Sequence, residues 1–323
     1  MENEAYFDVN AFASLGQSNS IFGVSLMDNI DIYPNIKVVT SDMALAAGLD
    51  RFRYLYPDSF YNVGIAEQNL IGVAAGLASE GFKSIAVAQA AFISMRSFEM
   101  VRQYLGYMHN NVILVGLNAG FLLKFFGNTH YATEDLSLMR GIPGMIVLSP
   151  ADAGEAVKAF EAALRTDASV YIRLTGLKEA PIVYKEDFSY EIGKSNVIHE
   201  GDDITIFATG SMVHQVIIAG DLLETQGIKA RIVDVHTIKP MDVDIVNDSK
   251  HSKLFVSVEE HNLIGGLGSS ISEYISEFTD YPPLLRLGVK DAFSIPGDYE
   301  YLLKQNRLMP DLIAEDIINK YKQ

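Results

Sequence analysis

The sequence predicts an α/β protein made of two parallel-sheet domains. Short apolar runs alternate with longer stretches of helical periodicity, the order typical of a largely parallel sheet covered by helices. The chain has 323 residues, which is enough for two domains of ordinary size. The alternation is interrupted once, at about residues 176–201, where Pro181, Gly193 and many polar residues indicate a linker.

The first domain is predicted to span residues 1–177. Its predicted strands are residues 36–41, 84–88, 112–117, 145–148 and 170–174. Its predicted helices are residues 11–29, 67–80, 95–108, 134–140 and 152–165. Gly81 provides a stop for the second of these helices, and Asp152 provides an N-cap for the last.

The second domain is predicted to span residues 201–323, after a linker at residues 178–200. Its predicted strands are residues 204–208, 230–235, 254–259 and 284–287. Its predicted helices are residues 214–225, 268–278 and 311–321. The sequence contains no internal repeat or heptad run, so a solenoid or coiled coil is excluded.

Composition narrows the function classes. A net charge of −16 argues against nucleic acid or an anionic membrane as a partner, and an anionic substrate would need local cations. No apolar run approaches the roughly 18 residues of a membrane span, and residues 1–4 lack the features of a signal peptide. The absence of cysteine excludes disulfides and thiolate metal sites. We expect a cytoplasmic enzyme.

One carboxylate stands at the start of an apolar helix. Glu67 follows Gly64-Ile65-Ala66 and precedes a helix that is apolar on nearly all sides, which predicts a buried helix. Beside buried apolar surface a carboxylate loses solvation, so its proton can be shared with a partner. The alternative is an acid that caps the helix N-terminus.

The surrounding motif carries a family resemblance. Asn-Val-Gly-Ile-Ala-Glu-Gln-Asn at residues 62–69, followed by Gly-Val-Ala-Ala-Gly-Leu-Ala at residues 72–78, resembles the pyrimidine-binding domain of transketolases. The resemblance covers about residue 38 to the end, and implies thiamine diphosphate as cofactor. It implies that Glu67 hydrogen-bonds a ring nitrogen of the aminopyrimidine and favours the imino tautomer, which helps deprotonate the thiazolium carbon.

The same resemblance implies further cofactor contacts. Asp42 would approach the thiazolium side of the cofactor, or else cap a helix that begins at Met43. Phe92, in the family-like segment 91–103, would stack on the aminopyrimidine. Arg96 would line the same pocket, or else bridge subunits at the surface.

The resemblance also implies substrate contacts. His130, in Gly127-Asn128-Thr129-His130, would contact the substrate's hydroxyl and carbonyl oxygens, because an imidazole donates or accepts at neutral pH. Arg173 would hold a substrate phosphate through bidentate hydrogen bonds, or else pair with an interdomain carboxylate.

The substrate side departs from the family pattern. Phe126 replaces the acidic residue that typically reads a sugar hydroxyl, and residues 10–25 contain no cation where an Arg for phosphate is usual. Lys124 would offer a new anion contact, or else be solvated. Common sugar phosphates are therefore not the expected substrates.

The chain lacks the family's metal and diphosphate element. There is no Gly-Asp-Gly run followed some thirty residues later by Asn, and no other polar cluster suits a hard cation. We therefore expect no metal site in this chain. The resemblance implies an N-terminal transketolase subunit that holds the diphosphate and Mg²⁺ (or Ca²⁺), in an α2β2 assembly that acts on small sugars.

The expected function is transfer of a two-carbon ketol unit from a ketose to an aldehyde acceptor. The alternatives are a synthase of the 1-deoxyxylulose-5-phosphate type, the β-subunit of a 2-oxo-acid dehydrogenase, and a catalytically silent partner subunit. The Thr129-His130 loop speaks against the dehydrogenase subunit, and Glu67 with His130 speaks against the silent one.

Overall fold

The computed structural model describes Phe12, residues 20–176 and residues 181–323. The predicted helix 11–29 is described as α1, Ser20–Asn29. Its predicted start, residues 11 and 13–19, lies outside the described residues. Residues 177–180, where the first domain was predicted to end and the linker to begin, also lie outside them.

Strands and helices alternate along most of the described chain. The strands are β1 Ile36–Thr40, β2 Phe60–Asn62, β3 Lys83–Gln89, β4 Val112–Leu117, β5 Ile146–Leu148, β6 Val170–Arg173, β7 Asn196–His199, β8 Ile204–Ala208, β9 Ala230–Asp234, β10 Thr237–Lys239, β11 Leu254–Asn262 and β12 Leu284–Val289. The helices after α1 are α2 Asp50–Leu55, α3 Glu67–Ser79, α4 (the consecutive turns Phe92–Arg96, Phe98–Met100 and Val101–Tyr107), α5 Asp135–Arg140, α6 Ala153–Arg165, α7 Met212–Glu224, α8 Val243–Asp248, α9 Leu267–Ile275, α10 Tyr299–Gln305 and α11 Pro310–Tyr321.

Seven strands form the first sheet, in the order β10-β5-β6-β4-β3-β1-β2. All its neighbouring pairs are parallel except β10 with β5. The central strands β3 and β4 are apolar and buried along nearly their whole length. Such continuous burial is typical of parallel strands that are covered by helices on both faces.

Five strands form the second sheet, in the order β12-β11-β8-β9-β7. Its pairs are parallel except β7 with β9. The two mostly parallel sheets confirm the predicted fold class. Among the described residues, no helix is both long and apolar enough to cross a membrane.

A short strand from the second half of the chain completes the first sheet. β10 begins three residues after β9 ends, yet it pairs antiparallel with β5. The Lys239 ammonium, at the end of β10, donates to the carbonyls of Arg140 and Ile142 at 2.9 and 2.6 Å. One apolar cluster accordingly includes Val147 and Tyr171 together with Phe207 and Val233 of the second sheet. The two domains therefore share part of their core.

Three strands were not predicted. β2, β7 and β10 have three or four residues each, too few to show the alternation by which a strand is recognised. β7 lies at the end of the predicted linker, residues 178–200. Helix α4 begins at Phe92 rather than at residue 95, and its first turn, Phe92–Arg96, is π-helical.

A pair of buried carboxyl groups joins the two domains. Glu155 of α6 and Asp234 of β9 are fully buried and close enough to interact electrostatically, and the Tyr184 hydroxyl donates to Asp234 Oδ2 at 2.6 Å. Burial raises the pKa of Asp234 to about 7. Burial and the neighbouring Asp234 raise the pKa of Glu155 well above its ordinary value, and Asp152 raises both. The pair therefore keeps a proton that the unfolded chain would release.

This pair predicts a pH-dependent stability. Between about pH 4 and about pH 7 the native state binds more protons than the unfolded state, so the free energy of unfolding falls as pH rises. Glu155→Gln keeps a hydrogen-bonding group and removes one carboxyl. We expect it to reduce the difference in unfolding free energy between about pH 5 and about pH 8 by on the order of 2 kcal/mol.

Urea unfolding at both pH values measures this difference. Glu224→Gln, an exposed change on α7, is the matched control and should leave the pH dependence as in the wild type. An unaltered pH dependence in Glu155→Gln would contradict the proton held by the pair.

Candidate active site

The candidate active site lies at the carboxyl edge of the first sheet. β1, β3 and β4 run parallel and in register, so the segments after their ends emerge side by side. Asp42 follows β1 and Phe92 follows β3. Residues 118–134, here called the β4–α5 loop, follow β4 and carry His130.

Asp42 is exposed and is tied to the end of β2. Its backbone lies in the left-handed region, with φ of 58°. Its N–H donates to Asn62 Oδ1 at 3.0 Å, and Asn62 Nδ2 donates to Asp42 Oδ1 at 3.1 Å. No helix begins in the described residues 43–49, so Asp42 is not a helix cap. The proposed approach of Asp42 to the thiazolium side stays a prediction.

Glu67 is the first residue of α3 and only 3% exposed. The helix buries Leu70 and Ile71 one turn later, in an apolar cluster that includes Val39 and Ala86 of the first sheet. Arg96 Nη1 donates to Glu67 Oε2 at 2.9 Å. Because burial deprives the carboxylate of water, this ion pair provides its main stabilising partner.

Arg96 also lies over an aromatic ring. Its Cζ is 4.2 Å from the centroid of Phe92, within the range of a cation–π contact. The two residues are four positions apart on the π-helical turn and so lie on the same side of it. Gln68 Nε2 donates to the carbonyl of Arg96 at 3.3 Å, which connects this turn to α3.

His130 lies against Phe92 from the β4–α5 loop. Their ring centroids are 5.3 Å apart at an interplanar angle of 68°. Phe126 also contacts this imidazole, with its centroid 5.2 Å from that of His130. His130 Nδ1 and Thr129 Oγ1 share a hydrogen bond of 2.9 Å. The structure therefore brings Glu67, Arg96, Phe92 and His130 into one contiguous group.

The β4–α5 loop is closed on itself. Gly120 and Ala132 pair through two backbone hydrogen bonds, and the Tyr131 hydroxyl donates to the carbonyl of Lys124. The Lys124 side chain is exposed and forms no ion pair with any residue that the structure describes. Phe126 is 68% exposed beside His130.

Arg173 lies below this surface rather than on it. The residue is 2% exposed, and its Nε donates to Asp135 Oδ2 at 2.9 Å. Its Nη2 donates to the carbonyls of Ala132 and Glu260 at 3.0 and 2.9 Å. The structure thus favours the structural alternative over a substrate-phosphate contact, because a buried and paired guanidinium does not face a ligand. The carboxylate partner belongs to the first domain, and the second domain contributes a carbonyl.

Within the described residues, no group of three or more His, Cys, Asp or Glu side chains is arranged to hold a metal ion.

Two family models match the chain. The model of the transketolase pyrimidine binding domain matches residues 23–177. The model of the transketolase C-terminal domain matches residues 193–313. Together they span both sheets.

The chain belongs to the transketolase family. It is 38% identical to the 6-deoxy-6-sulfo-D-fructose transketolase subunit of Clostridium sp. (strain MSTE9), over 83% of each chain. It is 33% identical to an apulose-4-phosphate transketolase subunit of Actinobacillus succinogenes, over 90% of this chain and 93% of that protein. A solved structure described as a split gene transketolase, an inactive β4 tetramer, is 35% identical with a TM-score of 0.86, and covers 96% of this chain and 99% of that one.

The chain also resembles part of a related synthase. It is 33% identical to 1-deoxy-D-xylulose-5-phosphate synthase of Caldanaerobacter subterraneus subsp. tengcongensis, over 99% of this chain but only 52% of that protein. Together with the family models, these relatives confirm the predicted family and the transketolase-like, thiamine diphosphate-dependent function. They also keep the synthase as the nearest alternative.

Three residues that hold the site in place were not predicted from the sequence. Asp135 pairs with Arg173, Glu260 Oε1 accepts from the Phe121 N–H at 2.6 Å, and Asn128 Nδ2 donates to the carbonyl of Ser294 at 2.9 Å. A signal existed for Glu260, since Glu259-Glu260 within an apolar strand predicts buried acids that need partners. Asn128 gave no such signal, because polar residues are common in loops.

The buried Arg173–Asp135 pair predicts a large loss of stability. Asp135→Asn keeps the shape but leaves the guanidinium without its countercharge, and breaking a buried pair in this way costs about 3–5 kcal/mol. Urea unfolding measures the change. Asp280→Asn, which removes one partner of the exposed Lys250–Asp280 pair, is the control and should change little. Equal effects of the two substitutions would remove this structural role from Arg173.

Proposed function

We propose that this chain is the C-terminal subunit of a two-subunit transketolase. It would transfer a two-carbon ketol unit from a ketose donor to an aldehyde acceptor, with thiamine diphosphate as cofactor. The observation that carries the proposal is the contiguous group of Glu67, Arg96, Phe92 and His130. It combines a buried carboxylate, an aromatic ring and an imidazole at one sheet edge.

The residues of this group fit one half of the cofactor. A buried carboxylate and an aromatic ring that contact the same planar guanidinium suit a flat heterocycle with a hydrogen-bonding edge, as an aminopyrimidine has. When bound, thiamine diphosphate supplies the carbanion chemistry. Glu67 would hold a proton at the aminopyrimidine ring nitrogen, and Phe92 would orient the ring. Asp42 would face the thiazolium side.

His130 would serve the substrate. Its ring is held between Phe92 and Phe126, and its Nδ1 bonds to Thr129. This leaves Nε2 for exchange of hydrogen bonds with the substrate's hydroxyl and carbonyl oxygens. A neutral imidazole donates or accepts according to its tautomer, so one residue can serve both groups in turn.

We propose that the diphosphate and Mg²⁺ (or Ca²⁺) are held by an N-terminal transketolase subunit in an α2β2 assembly. Support comes from relatives of similar length that are named as transketolase subunits. Further support comes from the similar split gene transketolase, whose β4 tetramer is described as inactive. A cytoplasmic location is part of the proposal, and the absence of cysteine from the chain is compatible with it.

Reconstitution tests this proposal. Alone, the chain should show no transketolase turnover and only weak heat of binding with thiamine diphosphate and Mg²⁺. Mixed with an N-terminal transketolase subunit of the same organism, it should bind the cofactor and turn over. In that pair Glu67→Gln should keep cofactor binding, while hydrogen exchange at the thiazolium carbon falls by about 10² or more, because the acid that sets the tautomer is lost.

Glu80→Gln, an exposed change just after α3, is the matched control and should leave exchange unchanged. Tight cofactor binding by the chain alone would refute the split enzyme. Exchange at the wild-type rate in Glu67→Gln would remove Glu67 from the mechanism. A pair that binds the cofactor without turning over any ketose would identify the chain as a silent partner.

The natural substrates are proposed to be small anionic sugars other than the common pentose phosphates. The relatives are named for a sulfonated sugar and for apulose 4-phosphate. In this chain Phe126, not an acid, lies beside His130, and the exposed Lys124 is two residues away. Lys124 is thus the candidate anion contact, in place of the buried Arg173.

Phe126 predicts the direction of a specificity change. An acid at this place would accept a hydrogen bond from a sugar hydroxyl, and a site built to hydrogen-bond a substrate hydroxyl discriminates strongly between substrates. Phe126→Asp should therefore raise kcat/KM of the reconstituted pair for xylulose 5-phosphate with ribose 5-phosphate by about tenfold. Phe125→Asp, an adjacent exposed Phe without a ring contact to His130 among the described residues, is the control. Wild-type turnover on the order of 10 per second with these pentose phosphates would contradict the altered specificity.

A further inference from the structure

Arg96 makes two contacts at once in the candidate cofactor site. Its Nη1 lies 2.9 Å from Glu67 Oε2, and its Cζ lies 4.2 Å from the centroid of Phe92. These are the same two side chains that the proposed function assigns to the aminopyrimidine. The Arg96 side chain is 48% exposed, whereas that of Glu67 is 4% exposed. Arg96 therefore reaches into the site from its open side.

The guanidinium has the shape and bonding pattern of the ring that the site would bind. It is planar, it carries N–H donors along its edge, and its face stacks on aromatic rings. An aminopyrimidine is also planar, presents polar hydrogens along one edge and stacks through its face. Both groups would satisfy one carboxylate and one phenyl ring at the same time, so they compete for the same two partners.

We infer that Arg96 holds the place of the aminopyrimidine in the unloaded subunit and is displaced when the cofactor binds. This inference rests on the proposed function. In the unloaded chain the Arg96–Glu67 contact stabilises the fold, because a buried carboxylate without a partner is costly. The cofactor would take over the hydrogen bond that the guanidinium now donates, so Glu67 would have a partner in both states.

Displacement is possible because little else holds the guanidinium. Among the described residues its guanidinium makes one hydrogen-bonded ion pair and one ring contact, the two above, while the Arg96 carbonyl accepts from Gln68 Nε2. The Arg96 side chain is 48% exposed, so water can accept its hydrogen bonds when Glu67 gains another partner. Arg96 also ends the π-helical turn Phe92–Arg96, and such turns are frequent at functional sites.

The inference predicts two opposite effects of one substitution. Arg96→Ala should lower the thermal midpoint of the unloaded chain, because Glu67 loses its cation. The same change should tighten ligand binding, because a site that is occupied by its own side chain binds with an affinity reduced by the open fraction. With Arg96 in place in about nine of ten molecules, the dissociation constant should fall about tenfold in the variant.

The test is calorimetric titration of the full chain with thiamine, which carries the aminopyrimidine but no diphosphate. Wild type, Arg96→Ala and Arg96→Lys are compared, with Arg102→Ala as the control, an exposed arginine on the same helix that makes no ion pair with described residues. We expect about tenfold tighter binding for Arg96→Ala, an intermediate value for Arg96→Lys and no change for Arg102→Ala. Equal or weaker binding by Arg96→Ala overturns the inference and makes Arg96 a cofactor or subunit contact.

Where thiamine binds too weakly for the chain alone, the same ratio is measured with thiamine diphosphate and Mg²⁺ in the reconstituted pair. A pair that binds thiamine diphosphate but shows no tightening in Arg96→Ala overturns the inference and leaves the proposed function standing. A pair that binds no thiamine diphosphate, with or without Arg96, overturns the proposed function and the inference with it. The two failures are therefore distinguishable.

Discussion

The buried ion pair between Arg173 and Asp135 is the constraint on which the geometry of the site depends. Arg173 ends β6, and Asp135 begins α5. The same guanidinium binds the carbonyl of Ala132 in the β4–α5 loop and that of Glu260 in the second domain. A guanidinium has five donors in a fixed plane, so one residue can set the mutual position of a strand, a helix, a loop and a neighbouring domain. The position of His130 follows from that arrangement.

The second domain contributes to the site without presenting an active-site residue of its own. The Glu260 carboxylate accepts from the N–H of Phe121 at the start of the β4–α5 loop, and from the Tyr299 hydroxyl at 2.7 Å. Asn128, two residues before His130, donates to the carbonyl of Ser294. The loop is thus fixed by the second domain at two points. This explains why β10 and the shared apolar cluster matter, since both keep the domains in one relative position.

The features that the sequence predicted depend on local patterns of residues, whereas the features that it missed depend on contacts between residues far apart in the chain. Long apolar strands such as β4 were recognisable because their burial shows in the local pattern. The helix at Glu67 was also recognisable, but it buries one face only, with Gln68, Asn69 and Gly76 exposed, and is not the fully buried helix that its apolar composition predicted. The motifs around Glu67, Phe92 and His130 were likewise local. The pairing of β10 with β5 could not be predicted, because Thr237 and Leu148, which pair, are far apart in the sequence. Arg173 was ambiguous for the same reason, since its partner lies 38 residues away in sequence.

The exposure of the residues around the site shows which parts of the site this chain completes by itself. Glu67 is buried, yet Ile65, two residues earlier, is 77% exposed, and Phe126 beside His130 is also exposed. Apolar side chains at the mouth of a polar site gain stability when another surface covers them. Within this chain, however, Glu67 already pairs with the Arg96 cation, which itself lies over the Phe92 ring. The Glu67 carboxylate is therefore already paired within this chain, whereas the apolar rim of Ile65 and Phe126 is still exposed. That combination suits a subunit which stays folded without its cofactor, and whose proposed partner would cover the rim as it brings the diphosphate.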